Sequence, residues 1–347
     1  MQNSKLKMKI CNLQSADDQR GFTLVELLVA MAIASVLGMA GVSLFSTTNW
    51  AYKINEDVAE AQQNARVSME RLAKDIRAAG FGLPDPPLPT FWFDVNGNNA
   101  QDAGETFTSP ITVTTSSSTA PDSITILGIG HEAGLLQGTA SSCPDGTVPN
   151  RTGSTCIHLS AASYFFPGIF DTKRKYINIG GGKYMELAIV GHDSTKRLLV
   201  LGTPSTLDRD YTADTPVFII QAVTYSIQND CTVPNPCWNL KSNDLTGLRD
   251  SGNQVLAENI EDIQFAYGVD TDGNGKMDST TLSNDPADDS TIVAVRAWVV
   301  AKTRNKDMKG STFTRPVIED HPASAADTYR RRILTKILKV RNPRTGG

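Results

Sequence analysis

Histidine is scarce in this chain. Four residues, His131, His158, His192 and His321, stand far apart among 347. That spacing excludes the H-E-x-x-H zinc signature, and no G-x-S-x-G nucleophile elbow occurs. The run Gly180-Gly181-Gly182-Lys183 lacks the leading glycine of a phosphate loop, and Tyr184 takes the place of its Ser or Thr, so it reads as a turn before a strand. Positive charge is not in excess either. Lys and Arg number 33 against 37 Asp and Glu, a net charge of −4, which leaves no overall field to gather nucleic acid. Cysteine is limited to five residues, none in a C-x-x-C pair. Catalysis, zinc binding and nucleic-acid binding are thus not what the composition points to.

What is present is a long apolar run near the amino terminus. A leader with Lys5, Lys7, Lys9 and Arg20 precedes it, and no charged residue falls between Leu27 and Tyr52. That exceeds the ~20 residues needed to cross a hydrocarbon core. One carboxylate, Glu26, sits just inside, where a charge near the bilayer centre costs roughly 2.5–3.5 kcal/mol. A secretory signal would carry its cleavage site after the apolar core. Here the junction Arg20-Gly21-Phe22 comes before it, so a cut there removes the basic leader and keeps the anchor.

The helical pattern continues past the membrane-length run. Ile54, Val58, Ala61, Ala65, Met69, Leu72 and Ile76 recur in steps of three and four, with charged residues around them. Gly80 suits a left-handed C-cap, and Pro84, Pro86, Pro87 and Pro89 forbid resumption. A helix over 22–80 would span roughly 85–90 Å, with Gly38 and Gly41 its softest points.

Beyond Gly80 the chain reads as strands and turns. Expected strands are Ser123–Ile129, Tyr184–Val190, Arg197–Leu201, Pro216–Ile227, Ile260–Tyr267, Ile292–Ala301 and Arg332–Arg341, all rich in Ile, Val, Thr and Tyr. Val255–Asp262 is the one short helix expected there. The fold class is therefore α+β: one long N-terminal helix, membrane-spanning and then amphipathic, packed on a mainly antiparallel sheet. The organisation is a leader (1–21), a transmembrane and assembly helix (22–80) and a β-rich head (81–347). The basic final strand, with Arg330, Arg331, Arg332, Lys336, Lys339 and Arg341, reads as a solvated edge protected against aggregation, with contact to DNA or an acidic partner as the alternative.

With a membrane segment ahead of them, Cys143, Cys156, Cys231 and Cys237 suit disulfides in an oxidising compartment. Three pairings are open. The local one, 143–156 with 231–237, closes short loops at least entropic cost. Two stretches carry oxygen ligands in calcium-loop order. In the first, Asp270, Asp272, Asn274, the Lys276 carbonyl and Asp278 fit positions 1, 3, 5, 7 and 9, with Gly275 at the turn. Thr281 stands where a bidentate glutamate belongs, so Asp285, Asp288 or Asp289 would have to close the shell. In the second, Asp94, Asn96, Asn98, Asp102 and Glu105 are correctly spaced, but Asn99 replaces the turn glycine. A calcium ion in either would staple a long loop, although Asp, Asn and Gly are also ordinary turn residues.

Gly21-Phe22-Thr23-Leu24-Val25-Glu26 and the apolar run behind it resemble the amino-terminal signal of type IV pilins and type II secretion pseudopilins. The resemblance implies that prepilin peptidase cuts after Gly21 and methylates Phe22. It also implies that Glu26 meets the Phe22 ammonium of a neighbouring subunit, setting axial register. Glu258 to Asp270, Val293 to Val300, Arg330 to Asn342 and Pro121 to Ile126 are similar to the PilW family of minor pilins. That likeness implies a subunit held in the bacterial inner membrane with a periplasmic head. It would then work with other minor pilins and the major pilin to initiate a fibre, near the tip and with a tip adhesin as a further partner. A J-type minor pseudopilin is the alternative within the class; a fibre-displayed module for adhesion or DNA is the alternative outside it.

Overall fold

The computed structural model describes residues 22–84, 88–98, 100–114, 120–138, 142–160, 174–180, 183–193, 197–202, 206–230, 238–246, 253–307 and 309–340. The chain divides into two compact units, Met1–Ile54 and Asn55–Gly347.

Helix α1 runs over Leu24–Ala78 without a break at Gly38 or Gly41. No proline interrupts it, and Gly80, at φ 74°, ends it. The Gly80 amide turns to the Leu127 carbonyl at 2.9 Å, which ties the helix end to the sheet. In the first unit the side chains of α1 are exposed, among them Leu27, Val36, Leu44 and Phe45. In the second, the expected stripe is buried from Ala61 onward through Ala65, Met69, Leu72 and Ile76. Ser68 and Asp75 lie on the same buried face.

The head strands are β1 (Phe91–Trp92), β2 (Thr106–Phe107), β3 (Ile111–Thr114), β4 (Ser123–Leu135), β5 (Cys156–His158), β6 (Tyr176–Ile179), β7 (Lys183–Asp193), β8 (Leu198–Leu201), β9 (Pro216–Asn229), β10 (Trp238–Asp244), β11 (Asn253–Ala257), β12 (Ile260–Val269), β13 (Ile292–Lys302) and β14 (Arg331–Lys339). A nine-stranded sheet has the path β11-β10-β9-β6-β7-β8-β5, with β4 joining β3 to β9. A three-stranded sheet, β12-β13-β14, and the pair β1-β2 complete the head. Every pairing between described strands is antiparallel.

The main core joins the buried stripe of α1 to both larger sheets. Ile124, Ile126, Val223 and Tyr225 come from one sheet, and Ile263, Phe265, Val295, Val299 and Leu338 from the other. Strand alternation supplies this face: in β13, Val295, Ala297 and Val299 point to the core, while Arg296 and Trp298 point away.

One sequence expectation fails. Val255–Asp262 is not a helix: β11 ends at Ala257, Asn259 adopts φ 58°, and β12 starts at Ile260. Asparagine tolerates the left-handed region, and that single residue breaks any helical path. The Asn259 carbonyl then accepts the Lys302 amide at 2.9 Å, so the turn is closed by β13 rather than by a helical ladder.

Candidate functional site

The amino-terminal assembly element begins at Phe22, which is exposed; Gly21 lies outside the described residues. Thr23 is the N-cap of α1. Its backbone amide and its hydroxyl each donate to a Glu26 carboxylate oxygen at 3.2 Å. The Glu26 amide donates back to the Thr23 hydroxyl oxygen, also at 3.2 Å. This is a capping box, in which two helix-end donors are satisfied reciprocally. Glu26 therefore has an intrachain partner where the helix dipole also favours a negative charge. Thr23 was not singled out by sequence reasoning, although T-x-x-E before an apolar run is a legible signal.

In the head, the loop after β12 gathers Asp270, Asp272 and Asp278, whose nearest oxygens lie within 4.8 Å of one another. Asp270 is buried, and its carboxylate accepts the amides of Gly273 at 2.8 Å and Gly275 at 2.7 Å. Burial pulls its proton affinity up, but the Gly275 amide, the Asp272 side chain and the Gly273 and Asn274 amides together outweigh burial and hold the carboxyl below its usual range. The Asn274 side-chain oxygen accepts the Lys276 amide at 2.8 Å. Two of the residues proposed to close a calcium shell are committed elsewhere. Asp288 caps a short 3-10 turn by accepting the Ser290 amide, and Asp289 accepts the Val113 amide at 3.0 Å. Asp285 is not gathered into the cluster.

The loop between β1 and β2 is built differently. Asp94 accepts the Gly97 amide, and Asp102 accepts the side-chain amides of both Asn96 and Asn98. Glu105 is buried, and its carboxylate takes the amides of Val95, Asn96 and Asp102 together with the Trp92 indole N–H. Asp94, Asp102 and Glu105 do not converge as the Asp270 loop does among the described residues. Glu105 thus closes its loop from inside through backbone donors.

Cys143 and Cys156 form a disulfide across a separation of 13 residues. Cys231 and Cys237 lie outside the described residues.

The outer face of β12-β13-β14 carries a charged network that sequence reasoning did not foresee. Asp262 is fully buried and meets Arg315 and His321. Burial raises its carboxyl despite the opposing pull of Gln264, His321 and Arg315. Arg296 grips Glu319 with two hydrogen bonds of 2.7 and 3.0 Å, and the Trp298 indole donates to the same carboxylate. Arg330 pairs with Asp307, and Arg331 with Glu261 and Asp327. These pairs fasten the segment between β13 and β14 onto the sheet. Next to this network, along β12, the Asp122 carboxylate accepts the Phe265 amide at 3.0 Å, anchoring the start of β4 to β12.

Comparison with known proteins gives three matches. The family model described as Type IV Pilus-assembly protein W matches residues 224–342, which hold β12, β13 and β14 with their network. The Prokaryotic N-terminal methylation motif matches residues 17–42, which hold the capping box. The Pilin-like protein PilA3 of Thermus thermophilus is 38% identical over 82 residues, covering 20% of this chain and 35% of that one. The chain thus spans about a third of the length of that curated relative. No solved structure gives a significant match. With the methylation motif at one end and the PilW segment at the other, the chain is similar to type IV pilin-like proteins over these two stretches, the first of which matches a prepilin-type amino-terminal signal.

Proposed function

We propose that this chain is a PilW-like minor pilin, a structural subunit rather than a catalyst. Prepilin peptidase cuts after Gly21 and methylates Phe22. The apolar part of α1 holds the product in the inner membrane, with the head on the periplasmic side. The subunit then joins other minor pilins and the major pilin to start a fibre, at or near its tip. The observation that carries this reading is the capping box at the head of an exposed helical run that carries no charge from Leu27 to Tyr52. Such a surface has two stable settings, lipid or a bundle of like helices.

Glu26 accounts for the passage between them. In the single chain Thr23 satisfies its carboxylate. In a bundle the Phe22 ammonium of a neighbour offers a full positive charge in a low dielectric, a stronger partner that exists at one axial offset. The Asp270 loop holds calcium in this reading, with Asp270, Asp272, Asn274, Asp278 and the Lys276 carbonyl as ligands, and the ion steadies the head outside the cell.

Mass spectrometry of the chain recovered from cells and from sheared fibres tests the proposal. The expected species begins at N-methylated Phe22, and Glu26→Ala reaches the membrane but not the fibre. A chain that keeps its first 21 residues and never travels with fibres would overturn it.

A further inference from the structure

β14 ends the three-stranded sheet and pairs only with β13 among the described residues. Its register with β13 is unbroken over nine residue pairs, whereas the β12–β13 pairing carries two irregularities. The direction of its free groups follows from the ladder. The Val340 amide donates to Val293, and the Thr303 amide donates to Arg330. Hydrogen-bonded pairs in an antiparallel ladder alternate. The even-numbered residues of β14 therefore bond to β13, and the amides and carbonyls of Ile333, Thr335, Ile337 and Lys339 point outward from the sheet.

Edges of this length are commonly blunted by proline, a bulge or charge. Here only charge is used. Arg332, Lys336 and Lys339 are exposed, and none has a carboxylate partner among the described residues. Arg332 and Lys336 project from one face, four residues apart. On the other face Ile337 is 59% exposed. In an acidic molecule this is a positively charged edge with a bare apolar side chain between Lys336 and Lys339.

We propose that β14 is a docking edge for an extended, acidic segment of another subunit, which adds as a further strand beside it. The bound segment carries carboxylates four residues apart, facing Arg332 and Lys336. An apolar residue next to one of them covers Ile337. Backbone pairing supplies affinity, and the alternating side chains supply selectivity. That the partner is a fibre subunit rests on the function proposed above; the edge itself is tested without it.

The test uses the full chain in detergent micelles and fluorescent nine-residue peptides. One peptide carries the two carboxylates and the apolar residue, a second has lysines in their place, and a third is the acidic peptide with alternate amides N-methylated. The acidic peptide should bind, more weakly as salt rises, and the lysine peptide should not. N-methylation should cost about tenfold or more, since several edge hydrogen bonds go at once. Ile337→Pro should abolish binding while leaving the fold intact, because that amide does not serve β13. Arg332→Glu with Lys336→Glu should transfer preference to the lysine peptide. Absence of binding, equal binding of acidic and lysine peptides, or indifference to N-methylation would each overturn the proposal. Failure of processing at Gly21 with peptide binding intact would overturn the fibre reading alone.

Discussion

At the scale of single residues, buried carboxylates do the fastening in this head. The Asp307 carboxyl lies below its ordinary range because the Arg330 guanidinium donates to it, at 2.6 and 2.9 Å, and the Lys309 amide adds a third bond. Asp327 is also held low. Burial opposes this, but the hydrogen bonds from Arg331 and the Tyr329 amide prevail. The sign follows from linkage. A carboxyl whose folded-state affinity for a proton is below its unfolded value of ~3.9 stabilises the fold above that pH. The contribution is lost as pH falls through the lower, folded value. Asp307→Asn should therefore melt at a lower temperature at pH 7. It should also lose less on acidification below about pH 4, because the group that titrates is gone. Melting curves from pH 7 to 3 check this, and parallel acid limbs for the two proteins would contradict it.

At the scale of elements, legibility followed length and periodicity. α1 and the long strands β4, β9, β12, β13 and β14 were readable because apolar residues repeat at the period that their geometry imposes. β1, β2, β3, β5 and β6 were not readable. Each is two to four residues long and strand only because a partner is near, as Phe91 and Trp92 lie opposite Phe107 and Thr106. β10, at seven residues, was missed because its run Trp-Asn-Leu-Lys-Ser-Asn-Asp is mostly polar. Val255 failed for the opposite reason: a stretch passable as helix was taken by pairing with Lys241. The site divides likewise. Thr23, Glu26 and the Asp270 loop are local patterns and show in sequence. The bonds of Asp262 to Arg315 and of Arg296 to Glu319 join residues far apart in the chain, which no spacing announces. Among the elements, the loop after β12 is the one proposed above to hold calcium. It joins two neighbouring strands, and the Asp278 amide returns to the Val269 carbonyl at 2.9 Å. An ion bound only in this arrangement stabilises it by about 2.7 kcal/mol at a hundredfold excess over Kd. Calcium should raise Tm by several degrees over chelator, and Asp272→Asn should remove the rise. Equal melting temperatures in calcium and chelator would dismiss calcium from this loop.

At the scale of the whole molecule, the two units bury apolar surface by different means. The residues from Asn55 onward contain every buried apolar side chain among the described residues, from Ala61 on α1 to Val340. The first unit exposes Leu24, Leu27, Met31, Ile33, Val36, Leu44 and Phe45. At ~25 cal/mol per Å² of apolar surface, that unit gains its stability only when lipid, detergent or other helices cover it. The head gains its stability without them. Two truncations separate these statements. A chain starting at Asn55 should remain in solution without detergent and melt where the full chain in detergent melts. A chain starting at Ala73 loses Ala61, Ala65, Met69 and Leu72 from the core. Removal of a single large core side chain costs roughly 2–5 kcal/mol, against 5–15 kcal/mol for a whole domain, so this second chain should not fold. If the chain starting at Asn55 melted well below the full chain, the apolar half of α1 would belong to the folding unit of the head. The passage from lipid to fibre proposed above would then lack an independent rod.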